Sequence, residues 1–147
     1  MLLTGQRSYF ELNVLGYEYD AASPFHTDRN TLRLALRAGW QQHRSTASAP
    51  LLLTWETNTL LAWFTHLLKN GRSLPRLQFS EPCLKFECVS ATTDEFLIQI
   101  QMAYEVAPDW HQNPEQPFWL PVVVRSAQLQ EAVQQLQQQV KRFPVRS

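Results

Sequence analysis

Glycine is scarce here, with only Gly5, Gly16, Gly39 and Gly71 in 147 residues. None falls in a GxGxxG or GKS/GKT pattern, which excludes the common loops whose backbone amides cradle phosphate. Gly-x-Ser-x-Gly is likewise absent, and no Ser, His and Asp follow a recognisable triad order. The two cysteines, Cys83 and Cys88, are five residues apart. In a continuous strand that offset puts them on opposite faces, so the expectation is two reduced thiols, one of them in the core, with no disulfide. Two cysteines and the scattered histidines His26, His43, His66 and His111 do not make a zinc pattern, so no metal and no cofactor is expected. The longest apolar stretches, 50–53 and 60–64, fall far short of the roughly 20 residues needed to span a bilayer. Met1-Leu2-Leu3 runs straight into Thr4-Gly5-Gln6-Arg7 without an apolar signal region, and the expected location is the cytoplasm.

Charge is sparse and balanced. Thirteen basic and thirteen acidic residues give a formal net charge of zero, which argues against direct nucleic-acid binding by a strongly basic surface. Its distribution is uneven, however, because residues 86–124 contain no Lys or Arg while Glu87, Asp94, Glu95, Glu105, Asp109 and Glu115 all fall there. Arg29, Arg33, Arg37 and Arg44 surround the second predicted strand. Two readings stay open: neutralisation between neighbouring strands, or an acidic surface for a basic partner.

What is abundant is apolar surface, at 44% hydrophobic residues with five Trp and eight Phe. That supports a packed core and a single domain over 1–147. Phe10, Leu12 and Val14 alternate with polar residues, as do Leu32, Leu34 and Leu36, and each set predicts a strand. Residues 41–49 are small and polar and read as a strand end passing into a turn before Pro50. Thr54 is placed to cap a helix over 54–70, with Glu56 at its positive end and Asn70-Gly71 as its stop. His66 is expected off the apolar arc of that helix. Leu77 and Phe79 pair with Leu84, Phe86 and Cys88 in a predicted hairpin, and the alternation from Phe96 through Val106 predicts the longest strand. Phe118–Val124 resumes as a strand whose Pro121 implies an edge or a bulge. Ser126 caps a last helix with a stripe of Leu129, Val133, Leu136, Val140 and Phe143, its seven glutamines facing solvent and the tail beyond Pro144 loose. The expected fold class is α+β, with a mainly antiparallel sheet of about six strands and two helices packed on one face.

Asp109, Trp110 and His111 stand together in a proline-bounded loop, where recognition residues are often carried. With Glu105 and Glu115 they form the candidate partner-binding set; the competing structural reading has Trp110 simply covering the end of the sheet. No catalytic residue is identified.

Four segments carry a family resemblance. Leu52-Leu53-Thr54-Trp55-Glu56, followed by Leu60, Leu61, Trp63 and Gly71, resembles the helix signature of WapI-type immunity proteins. Asp28-Arg29-Asn30-Thr31-Leu32 is similar to that family's Asp-x-Asn-Trp-Leu, with Thr31 in place of Trp. The hairpin from Phe79 through Glu87 resembles Phe-x-Glu-Pro-Asn-Leu-x-Phe-Glu, with Cys83 in place of Asn, and Phe143-Pro144-Val145-Arg146 resembles a closing Phe-Pro-x-Arg. The resemblance implies a non-enzymatic bacterial protein, encoded beside a polymorphic toxin, that binds and neutralises a cognate toxin domain, a tRNA-directed nuclease in the WapA case. A small-ligand or enzymatic domain using the pocket near Asp109, Trp110 and His111, and a homodimeric structural protein, remain the alternatives.

Overall fold

In the computed structural model, residues 1–70, 74–113 and 115–147 are described. Their strands form two antiparallel sheets. The first joins β1 (Leu2–Thr4), β2 (Ser8–Tyr17), β3 (Thr31–Trp40) and β4 (His43–Leu53) in chain order. The second joins β5 (Leu77–Gln78), β6 (Leu84–Ala91), β7 (Glu95–Met102) and β8 (Phe118–Arg125), also in chain order. A four-residue helix α1 (His26–Arg29) precedes β3, α2 (Thr54–Asn70) links the sheets, and α3 (Ser126–Arg142) follows β8.

The α+β class holds, but the single sheet of about six strands does not. There are two sheets of four, and the residues expected to turn at 41–49 are most of β4. The reason is on its inner face, where Ser45 and Ala49 are buried and Ala47 is half-buried, while Arg44, Thr46, Ser48 and Pro50 are exposed. The alternation is present, but in side chains too small to raise local hydropathy. Leu51 and Leu52 are both buried because the β3–β4 register slips between Leu32 and Arg33, a bulge that also accommodates Pro50 on an edge strand. Pro121, on edge strand β8, matches its expectation.

The long strand expected to reach Val106 stops at Met102, where Tyr104 takes φ 53 and opens a 3-10 turn over Tyr104–Val106. A left-handed tyrosine cannot continue a pleated ladder. Apolar alternation alone does not reveal the break.

Each long helix follows its strand without a connecting loop. Thr54 and Ser126, the expected caps, are therefore the first helical residues, one position inside the cap site. The reach-back comes from the third helical residue: Leu53 N donates to Glu56 Oε1 at 2.9 Å, and Arg125 N to Gln128 Oε1 at 3.3 Å. The hydroxyls turn elsewhere, Thr54 Oγ1 donating to Asn30 Oδ1 at 2.8 Å and Ser126 Oγ to the Thr93 carbonyl at 3.1 Å. Gly71, the expected stop of α2, lies outside the described residues.

The inner faces of both sheets and the apolar stripes of α2 and α3 merge in one hydrophobic cluster. Phe86 is its hinge point. Its fully buried ring meets Phe10 of the first sheet at 5.8 Å and Trp63 and Phe64 of α2 at 6.4 and 5.6 Å, with Phe79 at 6.2 Å. The two long helices pack on each other, α3 also touching β1 and β8, and α2 touching β4, so they bridge two sheets rather than lying on one face of a single sheet.

Two of the glutamines expected to face solvent do structural work instead. β1 covers only residues 9–11 of β2, which leaves the following edge open. Gln139 Oε1 accepts from Val14 N at 2.7 Å while its Nε2 donates to Leu12 O at 3.3 Å, and Gln135 Oε1 accepts from Leu2 N at 2.9 Å. Helix side chains thus satisfy backbone groups that an open edge would leave to water or to another chain.

A candidate partner-binding surface

Residues 103–117, between β7 and β8, carry all five candidate site residues. The segment is fastened at its start and its middle: Ala103 N donates to Cys83 O at 3.0 Å, and Asp109 N to Ser45 Oγ at 2.9 Å, which ties it to edge strand β4. His111 N donates to Pro108 O at 2.9 Å and turns the chain there. His111 Nε2 lies 2.6 Å from Gln116 O; a carbonyl only accepts, so this ring nitrogen carries the proton.

Trp110 is half-buried and packs on three aromatic residues from the first sheet's β3–β4 turn and the start of β8. Its ring centroid lies 6.4 Å from Trp40, 5.7 Å from His43 and 5.4 Å from Phe118. His111 adds its ring to Phe118 at 5.7 Å. Trp110 therefore covers the ends of both sheets, as the structural reading holds, and in doing so gives the loop a rigid aromatic floor. Trp40 and His43 lie about seventy residues from Trp110 in sequence, and nothing in their local patterning marks the association.

Charge sorts cleanly around this floor. Arg33 pairs with Glu18 at 2.8 Å, Arg37 with Glu11 at 3.4 Å and Arg76 with Glu87 at 3.2 Å. Internal neutralisation thus accounts for Arg33 and Arg37 of β3 and for Glu87, with only the Arg37–Glu11 pair running from strand to strand. Glu105, Asp109 and Glu115 are exposed and enter no ion pair among the described residues. Tyr104, beside Glu105, is 50% exposed.

Both cysteines are buried thiols, which corrects the expectation of one in the core. Cys83 sits in the turn before β6, so strand alternation does not govern it. Its Sγ donates to Glu105 Oε2 at 3.0 Å. Burial first, then that hydrogen bond and the charges of Glu105 and Glu81, push the Cys83 thiol up to about 12, and burial also raises Cys88. The native protein should therefore resist iodoacetamide at pH 8 and take two adducts once denatured, as read by intact mass. Rapid alkylation of the folded chain would contradict this placement. The Cys83 hydrogen bond chiefly holds the Glu105 carboxyl below its ordinary value. Its contribution is present above the unfolded carboxyl's titration and fades as pH falls through the lowered native one, and Cys83→Ala should return the Glu105 titration upward.

The four sequence segments singled out above meet at a different place. Buried Asn30 donates through Nδ2 to His26 O at 2.9 Å and to Arg146 O at 3.0 Å, and its Oδ1 accepts from Thr54 Oγ1 and from Arg146 N at 2.7 Å. Glu56 joins the third segment, its Oε2 accepting from Ser80 N at 2.7 Å and Ser80 Oγ at 3.1 Å. The tail expected to be loose is held here. Tyr17 OH donates to Pro144 O, and the Arg146 guanidinium lies 3.4 Å from the centroid of the Tyr17 ring. These polar groups are spent on one another, which makes the cluster a lock between α1, α2, the β5–β6 hairpin and the C-terminal segment. His66, by contrast, is an exposed residue of α2. No group of three His, Cys, Asp or Glu side chains able to hold a metal ion occurs among the described residues, and no helix is long and apolar enough to cross a membrane.

No curated protein and no solved structure matches the chain. A family model does, over residues 1–144, from the opening strand through the Asn30 lock to Pro144, and by that match the chain belongs to the immunity protein WapI-like family.

Proposed function

We propose that the protein neutralises a cognate toxin domain by binding it and occluding its active surface, without catalysis of its own, and that the 103–117 loop is the contact surface. The family match over residues 1–144 carries this reading. The loop adds the physical part. Glu105, Asp109 and Glu115 have no ion pair within the described residues, and they flank Trp110 and His111 on the aromatic floor. If the toxin is a nuclease, the ground around its active site is basic because it must hold phosphate. An acidic loop is steered to such a surface and competes with the nucleic acid for it.

Association of the protein with the toxin domain encoded beside it, followed by stopped flow, tests the assignment. Reversing Glu105, Asp109 and Glu115 to Lys should slow association by about 10- to 100-fold at low salt, since steering accounts for rate gains of that order. The deficit should shrink above about 0.5 M salt, where charges are screened within a few ångströms. Because Glu105 also accepts from Cys83, the Asp109→Lys/Glu115→Lys pair serves as a control with that contact intact. Equal rates at low salt in a folded triple variant would remove this loop from the interface.

A further inference from the structure

A cavity of about 510 Å³ opens where the two sheets are fastened together, and it shares only Trp40 with the aromatic floor of the 103–117 loop. Its walls are the β1–β2 turn, the start of the β3–β4 turn, the outer side of β8 and the first turn of α3. The fastening is tight. A Cβ on Gly5 would lie 2.9 Å from the Val123 carbonyl oxygen and 3.2 Å from its nitrogen, so the turn rests directly on the backbone of β8. Ser8 Oγ donates to Pro121 O across the same junction, and Gln41 N donates to Arg7 O at 2.8 Å. These contacts fix the backbone around the cavity, from which the exposed side chains of Arg7, Arg125 and Gln128 project, and the volume is within the range of small-molecule sites, roughly 300–1,000 Å³.

The chemistry of the lining is selective. Arg7 and Arg125 both border the cavity, and neither enters an ion pair among the described residues. Gln128 contributes an amide from the first turn of α3, and Trp40 an aromatic wall. Glu95, the cross-strand neighbour of Arg125, is the one acidic residue in the lining. Two guanidiniums and an amide against one carboxylate favour an anion, and guanidinium forks match carboxylate and phosphate oxygens. Trp40 offers a face to a planar or apolar body.

We propose that this cavity binds a small anionic ligand bearing a carboxylate or a phosphate, its charged group between Arg7 and Arg125 and its body against Trp40. The site shares Trp40 with the floor of the toxin-binding assignment, but its anion-binding groups Arg7 and Arg125 lie outside the 103–117 loop, so anion titration tests it without the toxin.

Titration of the full chain with inorganic phosphate, succinate and adenosine monophosphate, read by amide chemical shifts and tryptophan fluorescence, tests the proposal. Saturable one-to-one binding of at least one anion is expected, with shifts centred on Arg7, Trp40, Arg125 and Gln128. A preference for phosphate or for succinate identifies the charged group, and tighter binding of the nucleotide identifies Trp40 as a ring platform. The Arg7→Gln/Arg125→Gln variant should lose about tenfold or more in affinity, Glu95→Gln should gain a few-fold, and Trp40→Phe should abolish the fluorescence change. All four positions lie on the cavity wall, so circular dichroism before titration establishes that each variant is folded. The proposal is overturned if none of the three anions saturates below about 10 mM, a limit already weaker than about −3 kcal/mol of binding, or if the double-arginine variant binds as the parent does.

Discussion

Asn30→Ala is expected to lower stability by about 2–3 kcal/mol, because it strands the buried Thr54 hydroxyl and removes three part-buried backbone contacts at once, and an orphaned buried group costs about 1–3 kcal/mol. Asn30 is fully buried and its side chain engages His26 O, Thr54 Oγ1 and both backbone groups of Arg146. The helical start of α2 and the C-terminal segment lose their common anchor together. Arg146→Ala provides the contrast: the Asn30 lock uses the Arg146 backbone, so this change removes only the guanidinium over Tyr17 and its long contact to Tyr19 O. Tyr17 and Arg146 are both half-buried, and a cation–aromatic pair there contributes about 1 kcal/mol, so Arg146→Ala should cost about that. Urea unfolding of the two variants separates the cases. An Asn30→Ala protein within about 1 kcal/mol of the parent, less than a single orphaned group should cost, would refute the lock.

Phe86→Ala is expected to cost about 3–5 kcal/mol, the usual range for emptying a buried aromatic site. The site cannot collapse easily, since its walls come from β2, α2, the hairpin and β6 itself, through Phe10, Trp63, Phe64 and Phe79. Whole domains are stable by only about 5–15 kcal/mol, so this variant sits near the edge of folding. Phe86→Leu, which keeps most of the volume, should lose about 1–2 kcal/mol and leave the 103–117 loop in place. Thermal unfolding with matched transitions by circular dichroism and tryptophan fluorescence gives the comparison. If Phe86→Ala unfolds like the parent, the two sheets do not share the core described here.

The residues that disclosed their structure in sequence were those with large apolar side chains at a regular spacing. Phe10 and Leu12, Leu32 through Leu36, Ile98 and Ile100, and the stripe of α2 all announced a buried face. β4 did not, because Ser45, Ala47 and Ala49 give its inner face almost no hydropathy contrast with Thr46 and Ser48. Without β4 the first sheet looked like two strands, and alternation tells which face is buried but not against what. That is why the sequence pattern alone groups the strands in one sheet.

Capping logic found the right boundary and the wrong atoms. Strand and helix are contiguous at Leu53–Thr54 and at Arg125–Ser126, so the side chains that reach back are Glu56 and Gln128. The acidic loop was legible as a composition shift, but its floor was not. Trp40, His43 and Phe118 join Trp110 only through the meeting of the two sheets. Asn30 was visible as part of a motif, whereas its role depends on Arg146, more than a hundred residues away.

The most direct test of the central claim is co-expression of this chain with its proposed cognate toxin domain, scored by cell survival and by the mass of the purified complex. The account predicts that cells survive, that the two chains co-purify in equal amounts, and that Glu105, Asp109 and Glu115 reversed to Lys in a folded protein sharply reduce both. Cells that die with the parent chain fully expressed, and no complex on purification, would contradict it.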